Sequence, residues 1–205
     1  MKKFEVLYEK TVPPGPTPAD TPVDLTEETM TEHRMKILMR MEQENLDVLL
    51  VYADREHGAN YGYLTGFEPR FEESILILHK DGQAYLMLGN EMLRMAEYSR
   101  IPAKAVHTPH FSLPNQPMET ELNFTRLLQK AGIKRNMQVG IAGWKLFTGR
   151  LENNETMFDV PSFIVESARE IVDGEGRIRN ATGLFIHPEN GARIQINVNF
   201  LKKIP

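Results

Sequence analysis

The sequence predicts an α/β domain: three layers, α/β/α, around a mixed, mostly parallel sheet that contains one antiparallel hairpin. Three observations carry this. Asp47–Ala53 (DVLLVYA) is apolar without alternation, as expected of a strand covered on both faces. Ser74–Leu78 and Gln83–Leu88 flank His79-Lys80-Asp81-Gly82, where Asp-Gly supplies the positive φ of a tight hairpin. Around these runs, segments of helical period alternate with short strand-like ones, the pattern of a sheet with helices on both faces.

Residues 1–25 read as an N-terminal extension. Phe4–Tyr8 is strand-like, and residues 12–22 (VPPGPTPADTP) hold five prolines, too many for a helix or central strand, so they read as an extended arm. Thr29-x-x-Glu32 offers a capping box, and Met35, Leu38, Met39, Met41 and Leu46 follow near helical spacing on one face. The methionines read as packing residues. After the first strand the chain enters Tyr63-Leu64-Thr65-Gly66-Phe67, where a glycine before a bulky aromatic suits a tight turn or bulge. Beyond the hairpin, Asn90–Arg100 is expected as a helix with Met92, Leu93, Met95 and Ala96 inward. Ala103–His107 is a short strand and Thr108–Pro117 a Pro-broken loop. Glu119–Ala131 is a helix closed by Gly132, and Gln138–Ala142 a strand ending at Gly143-Trp144. Pro161 sits as the first residue of a helix that runs to about Ile171. No internal repeat is present.

At 205 residues the chain has room for one α/β domain with an extension. Lys+Arg of 24 against Asp+Glu of 28 gives a net charge of −4, and no basic stripe is present. That balance argues against nucleic acid or an anionic membrane as partner. No apolar run reaches the roughly 18–20 residues that span a bilayer, and Glu5 and Glu9 interrupt the signal-like MKKFEVLYEK. The absence of cysteine excludes disulfides and thiolate metal sites and fits a cytoplasmic protein.

Charged residues gather after the first strand. Asp54-Arg55-Glu56-His57 begins where that strand ends, and Pro69-Arg70-Phe71-Glu72-Glu73 follows Thr65-Gly66-Phe67. Ligands of open α/β sheets gather at the carboxyl ends of parallel strands, so Asp54, His57, Arg70 and Glu72 are the candidate contact residues. Arg70 offers a bidentate fork for a carboxylate and His57 a hydrogen bond. The plainer reading is a solvated loop held by weak ion pairs. An independent small enzyme using these carboxylates with His57 as acid and base ranks last, because Glu72 and Glu73 alternate sides on a strand. His107-Thr-Pro-His110 is the only close histidine pair; Pro109 breaks any helix that would align it, and no carboxylate completes a ligand set. Asp173-Gly-Glu-Gly176 reads as a surface turn. No His-Glu-x-x-His, P-loop, Gly-x-Gly-x-x-Gly or Gly-x-Ser-x-Gly motif occurs, so neither a catalytic residue nor a metal ligand is assigned.

The Leu46-Asp47 lead into the first strand, Tyr63-Leu-Thr-Gly-Phe67 and the Asp81-Gly82 hairpin together resemble the N-terminal domain of the creatinase, aminopeptidase P and prolidase superfamily. The resemblance covers roughly residues 30–180, and Asp54-Arg-Glu-His57 and Pro69-Arg-Phe-Glu-Glu73 are similar to one bacterial branch of Xaa-Pro peptidase-like proteins. It implies a ribonuclease-H-like topology for 26–180. It also implies a role in walling the substrate pocket and forming oligomer contacts for a pita-bread catalytic domain, with Asp54, His57, Arg70 and Glu72 as substrate-contact candidates. The family's dinuclear divalent metal (Mn, Co or Zn) is held by two Asp, one His and two Glu of that catalytic domain, and neither Asp173 nor His187 matches those positions. Asn180–Gly191 resembles the connection towards the catalytic domain, so 181–205 is expected as a connector to a domain missing from this chain. The chain alone is then expected to be inactive, cytoplasmic and partnered by its own copies and by the parent's catalytic domain. The alternative is a stand-alone binding or assembly module that has lost its catalytic half.

Overall fold

The computed structural model describes residues 25–119, 122–174 and 177–193; the strand-like piece and proline arm expected within 1–24, and residues 194–205, lie outside them. Six strands form one sheet: β1 (Val48–Ala53), β2 (Ser74–His79), β3 (Ala84–Leu88), β4 (Lys104–His107), β5 (Val139–Ala142) and β6 (Ile178–Asn180). Their order is β4-β3-β2-β1-β5-β6. The β2–β3 pair is the predicted hairpin, with Gly82 at φ 85° in its turn. β2 is also antiparallel to β1, whereas β1–β5, β5–β6 and β3–β4 are parallel. It is therefore the one reversed strand, and the other five deliver their carboxyl ends to the same rim.

Side-chain alternation divides the sheet between two cores. Val48, Leu50 and Tyr52 of β1, with Ile75 and Ile77 of β2, pack under α3 (Phe124–Lys130) and α4 (Ser162–Val172). Leu49, Val51 and Ala53, with Leu76 and Leu78, face α1 (Glu27–Gln43), α2 (Ala59–Thr65) and α5 (Gly183–Ile186). All six β1 residues are buried, as an apolar run without alternation requires. This is the predicted three-layer α/β/α arrangement.

The helices depart from expectation in instructive ways. α1 begins one turn earlier than the Thr29 capping box: Thr26 is the cap, and its Oγ1 accepts a hydrogen bond from the Thr29 N–H at 3.2 Å. The buried stripe is then Met30, Ile37 and Met41, while Met35 and Met39 point to solvent. α2 was not foreseen, because its seven residues include Gly62 and are too few to show a helical period. Gly66 closes it as a left-handed C-cap at φ 78° rather than shaping a strand bulge. Residues Leu93–Tyr98 form a 3-10 helix instead of an α-helix, with Met92 buried and Leu93, Met95 and Ala96 against the core. α3 starts at Phe124, because the Asn123 side chain caps it through the Arg126 N–H at 2.9 Å. Pro161 is the cap residue of α4 rather than its first residue. β6 and α5, three and four residues long, were not predicted, yet Leu184 and Phe185 of α5 are buried in the core.

Two glycines test the backbone account. A Cβ on Gly82 would meet only Leu38 at 4.0 Å, whereas one on Gly66 would come within 2.4 Å of Arg100 Cγ. Arg100 is held by Glu27 and by the Leu25 carbonyl. Gly82→Ala is expected to lower the unfolding free energy by about 1–2 kcal/mol, the cost of a left-handed Cβ. Gly66→Ala is expected to cost roughly 1 kcal/mol more, since Arg100 must also leave its partners. Chemical denaturation of the two variants checks the difference; equal losses would show that Arg100 yields freely.

Candidate functional site

β1 and β5 lie side by side and parallel, but the chain leaves them towards opposite faces: α2 follows β1 on one core and α4 follows β5 on the other. Open α/β sheets place ligands beyond the carboxyl ends of strands that diverge in this way. Ala53-Asp54 forms one lip and Ala142-Gly143-Trp144 the other. Asn60 of α2, only 2% exposed, ties the lips together by donating from Nδ2 to the Gly143 carbonyl at 2.7 Å, while its Oδ1 accepts from Arg193 at 2.7 Å.

Asp54 organises the β1 lip. Its Oδ1 accepts the backbone N–H groups of Glu56 (2.9 Å) and His57 (2.8 Å), which turns the chain sharply off the strand. The same carboxylate receives His57 Nδ1 at 2.9 Å. Nδ1 therefore carries the proton, and Nε2 has no hydrogen-bond partner among the described residues. The imidazole lies flat on the Trp144 indole, ring centroids 4.3 Å apart. Lys145 reaches over the Trp144 and Phe147 rings. Asp159 accepts the backbone N–H groups of Trp144 and Lys145, at 2.8 and 2.7 Å, and so fixes the β5 lip. Burial pulls the Asp54 carboxyl upward, but the His57 ring and the two backbone donors outweigh it and hold the group below its ordinary 3.8.

Next to this pair, Asp54, Glu56, Phe71, Glu73, His110 and Pro114 are among the residues that line a crevice of about 360 Å³. Burial pushes the His110 imidazole down from its ordinary 6.5, so it is neutral at pH 7, and its Nδ1 is buried without a partner. The four sequence candidates separate here. Asp54 and His57 meet as one unit. Arg70 is exposed, does not line the crevice, and lies over the Phe71 ring at 5.6 Å. Glu72 also lines the crevice but is only 3% exposed; its carboxylate accepts the Glu91 and Met92 N–H groups at 3.0–3.1 Å. It holds the segment after β3 in place and, being buried, presents little surface to a ligand. Trp144 was missed as a site residue. Its signal was modest: the chain's one tryptophan, directly after a strand-ending glycine.

Among the described residues no group of three or more His, Cys, Asp or Glu side chains is placed to hold a metal ion. His107 Nε2 donates to Asn90 Oδ1 at 2.7 Å, and His110 packs edge-on to Phe124, so the two histidines serve different neighbours. No helix among the described residues is long and apolar enough to cross a membrane.

Two substitutions distinguish the carboxylates. Glu72→Ala leaves buried N–H groups unpaired and is expected to lower stability by about 2–4 kcal/mol at pH 7, measured by urea denaturation. Asp54 has a depressed folded pKa, so its contribution is present above the ordinary carboxylate value and is lost as pH falls through the folded one. Asp54→Asn is thus expected to weaken the domain at neutral pH and to flatten its acid-limb loss of stability below about pH 4. An unchanged acid limb would remove Asp54 from that linkage.

Residues 34–171, more than half of the chain, match the profile of the Creatinase/Prolidase N-terminal domain. Among solved structures, a proline dipeptidase from Streptococcus agalactiae 2603V is 13% identical with a TM-score of 0.49, the match covering 74% of this chain and 94% of that one. A Creatine_N superfamily domain of a dipeptidase from Streptococcus thermophilus is 11% identical, also with a TM-score of 0.49, and is covered to 94% by 74% of this chain. Xaa-Pro dipeptidase from Bacillus anthracis is 12% identical with a TM-score of 0.46 over 76% of this chain, which spans only 34% of that enzyme. No curated protein matches the chain significantly. The two-core sheet, the Tyr63–Phe67 segment and the profile match lead to one conclusion: the chain belongs to the Creatinase/Prolidase N-terminal domain family.

Proposed function

We propose that this chain is the non-catalytic N-terminal domain of an Xaa-Pro dipeptidase- or aminopeptidase P-like metallopeptidase, shaping the substrate pocket and contributing oligomer contacts. The profile match over 34–171 carries this reading. His57 is the contact residue of choice, because Asp54 and Trp144 hold its ring while Nε2 remains available to a substrate carbonyl or carboxylate. Arg70 forms no ion pair among the described residues and presents its guanidinium to solvent beside the exposed Phe71, where it suits a carboxylate brought by a partner surface. The divalent metals belong, in this reading, to the catalytic domain of the parent, and the protein acts in the cytoplasm.

A second reading, a stand-alone binding or assembly module, is favoured by one observation: Phe71, Trp144 and Leu151 are all exposed, Leu151 at 97%. Exposed apolar groups of this size suit a partner surface.

The purified 205-residue chain, supplied with Mn²⁺ or Co²⁺, is expected to bind no stoichiometric metal and to hydrolyse no Xaa-Pro dipeptide. Metal analysis with a dipeptide assay checks this. Chelator-sensitive turnover with bound metal would sink the non-catalytic reading.

A further inference from the structure

A second pocket lies on the α1 face of the sheet beside edge strand β6, with a volume of about 190 Å³. Three separate pieces of chain build it: the last turns of α1, the 3-10 turn Asn154–Thr156, and the run from β6 through α5. Its floor is apolar, with Leu46, Ala181 and Leu184 each no more than 6% exposed. The walls are not.

Arg40 and Arg179 supply the cationic side. Arg179 donates to the Glu44 backbone carbonyl and lies 3.3 Å from the Glu44 carboxylate. Arg40 approaches that carboxylate only to 3.8 Å and donates to Gln43 at 3.2 Å. Its Nε is buried and has no partner, a donor for which nothing described in the chain supplies an acceptor. His187 adds a second donor: its Nδ1 accepts the Glu189 N–H at 3.3 Å, which leaves the ring proton on Nε2. Glu155, which also lines the pocket, is exposed, and its carboxylate has no hydrogen bond or ion pair among the described residues.

We propose that this pocket binds a small zwitterion of the α-amino-acid class, its carboxylate on the Arg40–His187 side and its ammonium on Glu155. The charge balance selects this chemistry. Two guanidinium groups face two carboxylates, so a phosphate dianion would meet Glu44 and Glu155 as repulsive neighbours, and a simple cation would meet two arginines. A molecule that is neutral overall but charged at both ends pairs with the Arg40 guanidinium and the free Glu155 carboxylate together, while its side chain lies on the apolar floor. The proposal does not depend on the peptidase reading, because none of these residues lines the crevice beside Asp54.

Calorimetric titration of the full chain with L-leucine, isocaproate and isoamylamine separates the two ends, since the last two are leucine without its ammonium and without its carboxylate. Leucine is expected to bind roughly tenfold or more tightly than either half. Glu155→Gln, at an exposed side chain with no bonds to lose, is expected to weaken leucine to the level of isocaproate and to leave isocaproate unchanged. Arg40→Gln should weaken leucine and isocaproate but not isoamylamine; thermal melts report whether it folds. No leucine binding, equal binding of leucine and isocaproate, or inorganic phosphate binding as tightly as leucine would each overturn the assignment.

Discussion

β1 is buried along all six residues and hydrogen-bonded on both edges, antiparallel to β2 and parallel to β5. Its alternate side chains enter different cores, so a slip of one residue would exchange Leu50 and Leu49 between the two helical layers and mismatch both at once. Asp47 guards against such a slip at the strand's start: its carboxylate takes Lys80 from the hairpin at 2.7 Å and the Gln138 N–H from before β5 at 2.9 Å. The strands on either side of β1 are thereby pinned to one residue. With register fixed at that end, the position of Asp54 at the other end follows from strand length alone.

Much of this was legible in the sequence. DVLLVYA announced a strand covered twice, and Asp81-Gly82 announced the hairpin, because both signals are local and strong. The elements that escaped are short: α2, β6 and α5 each run seven residues or fewer, below the length at which a period can be read. α1 was found, and Leu38, Met41 and Leu46 of its expected face pack on the core, but Met35 and Met39 point to solvent while Met30 and Ile37 are buried in their place. Hydropathy alone does not tell an exposed methionine from a buried one.

The candidate site was legible in half. Asp54 and His57 lie three residues apart, so the turn that joins them is local and the charge cluster points to it. Trp144, which stacks on His57, follows β5 and stands ninety positions beyond Asp54 in the sequence, and only the parallel pairing of β1 with β5 brings it in. Glu72 shows the reverse case. Its sequence neighbours are charged and suggested a solvated contact group, but the backbone donors of Glu91 and Met92 converge on it and draw it inside. A carboxylate in a charged run is therefore ambiguous until its acceptors are counted.

The aspartates at the two ends of β1 show how one serves only the fold while the other also orients a candidate contact residue. Both carboxyls are held below their ordinary value, Asp47 chiefly by the Lys80 ammonium and then the Gln138 N–H, Asp54 against a larger opposing pull from burial. Asp47 spends its charge on groups that have nothing further to offer: a surface ammonium and a backbone amide. Asp54 spends part of its charge on an imidazole, and an imidazole passes the interaction on. Fixing the proton on Nδ1 makes Nε2 an acceptor with a defined direction, braced by the Trp144 ring. Equal residues on one strand thus diverge in role through the second atom of the partner each one binds.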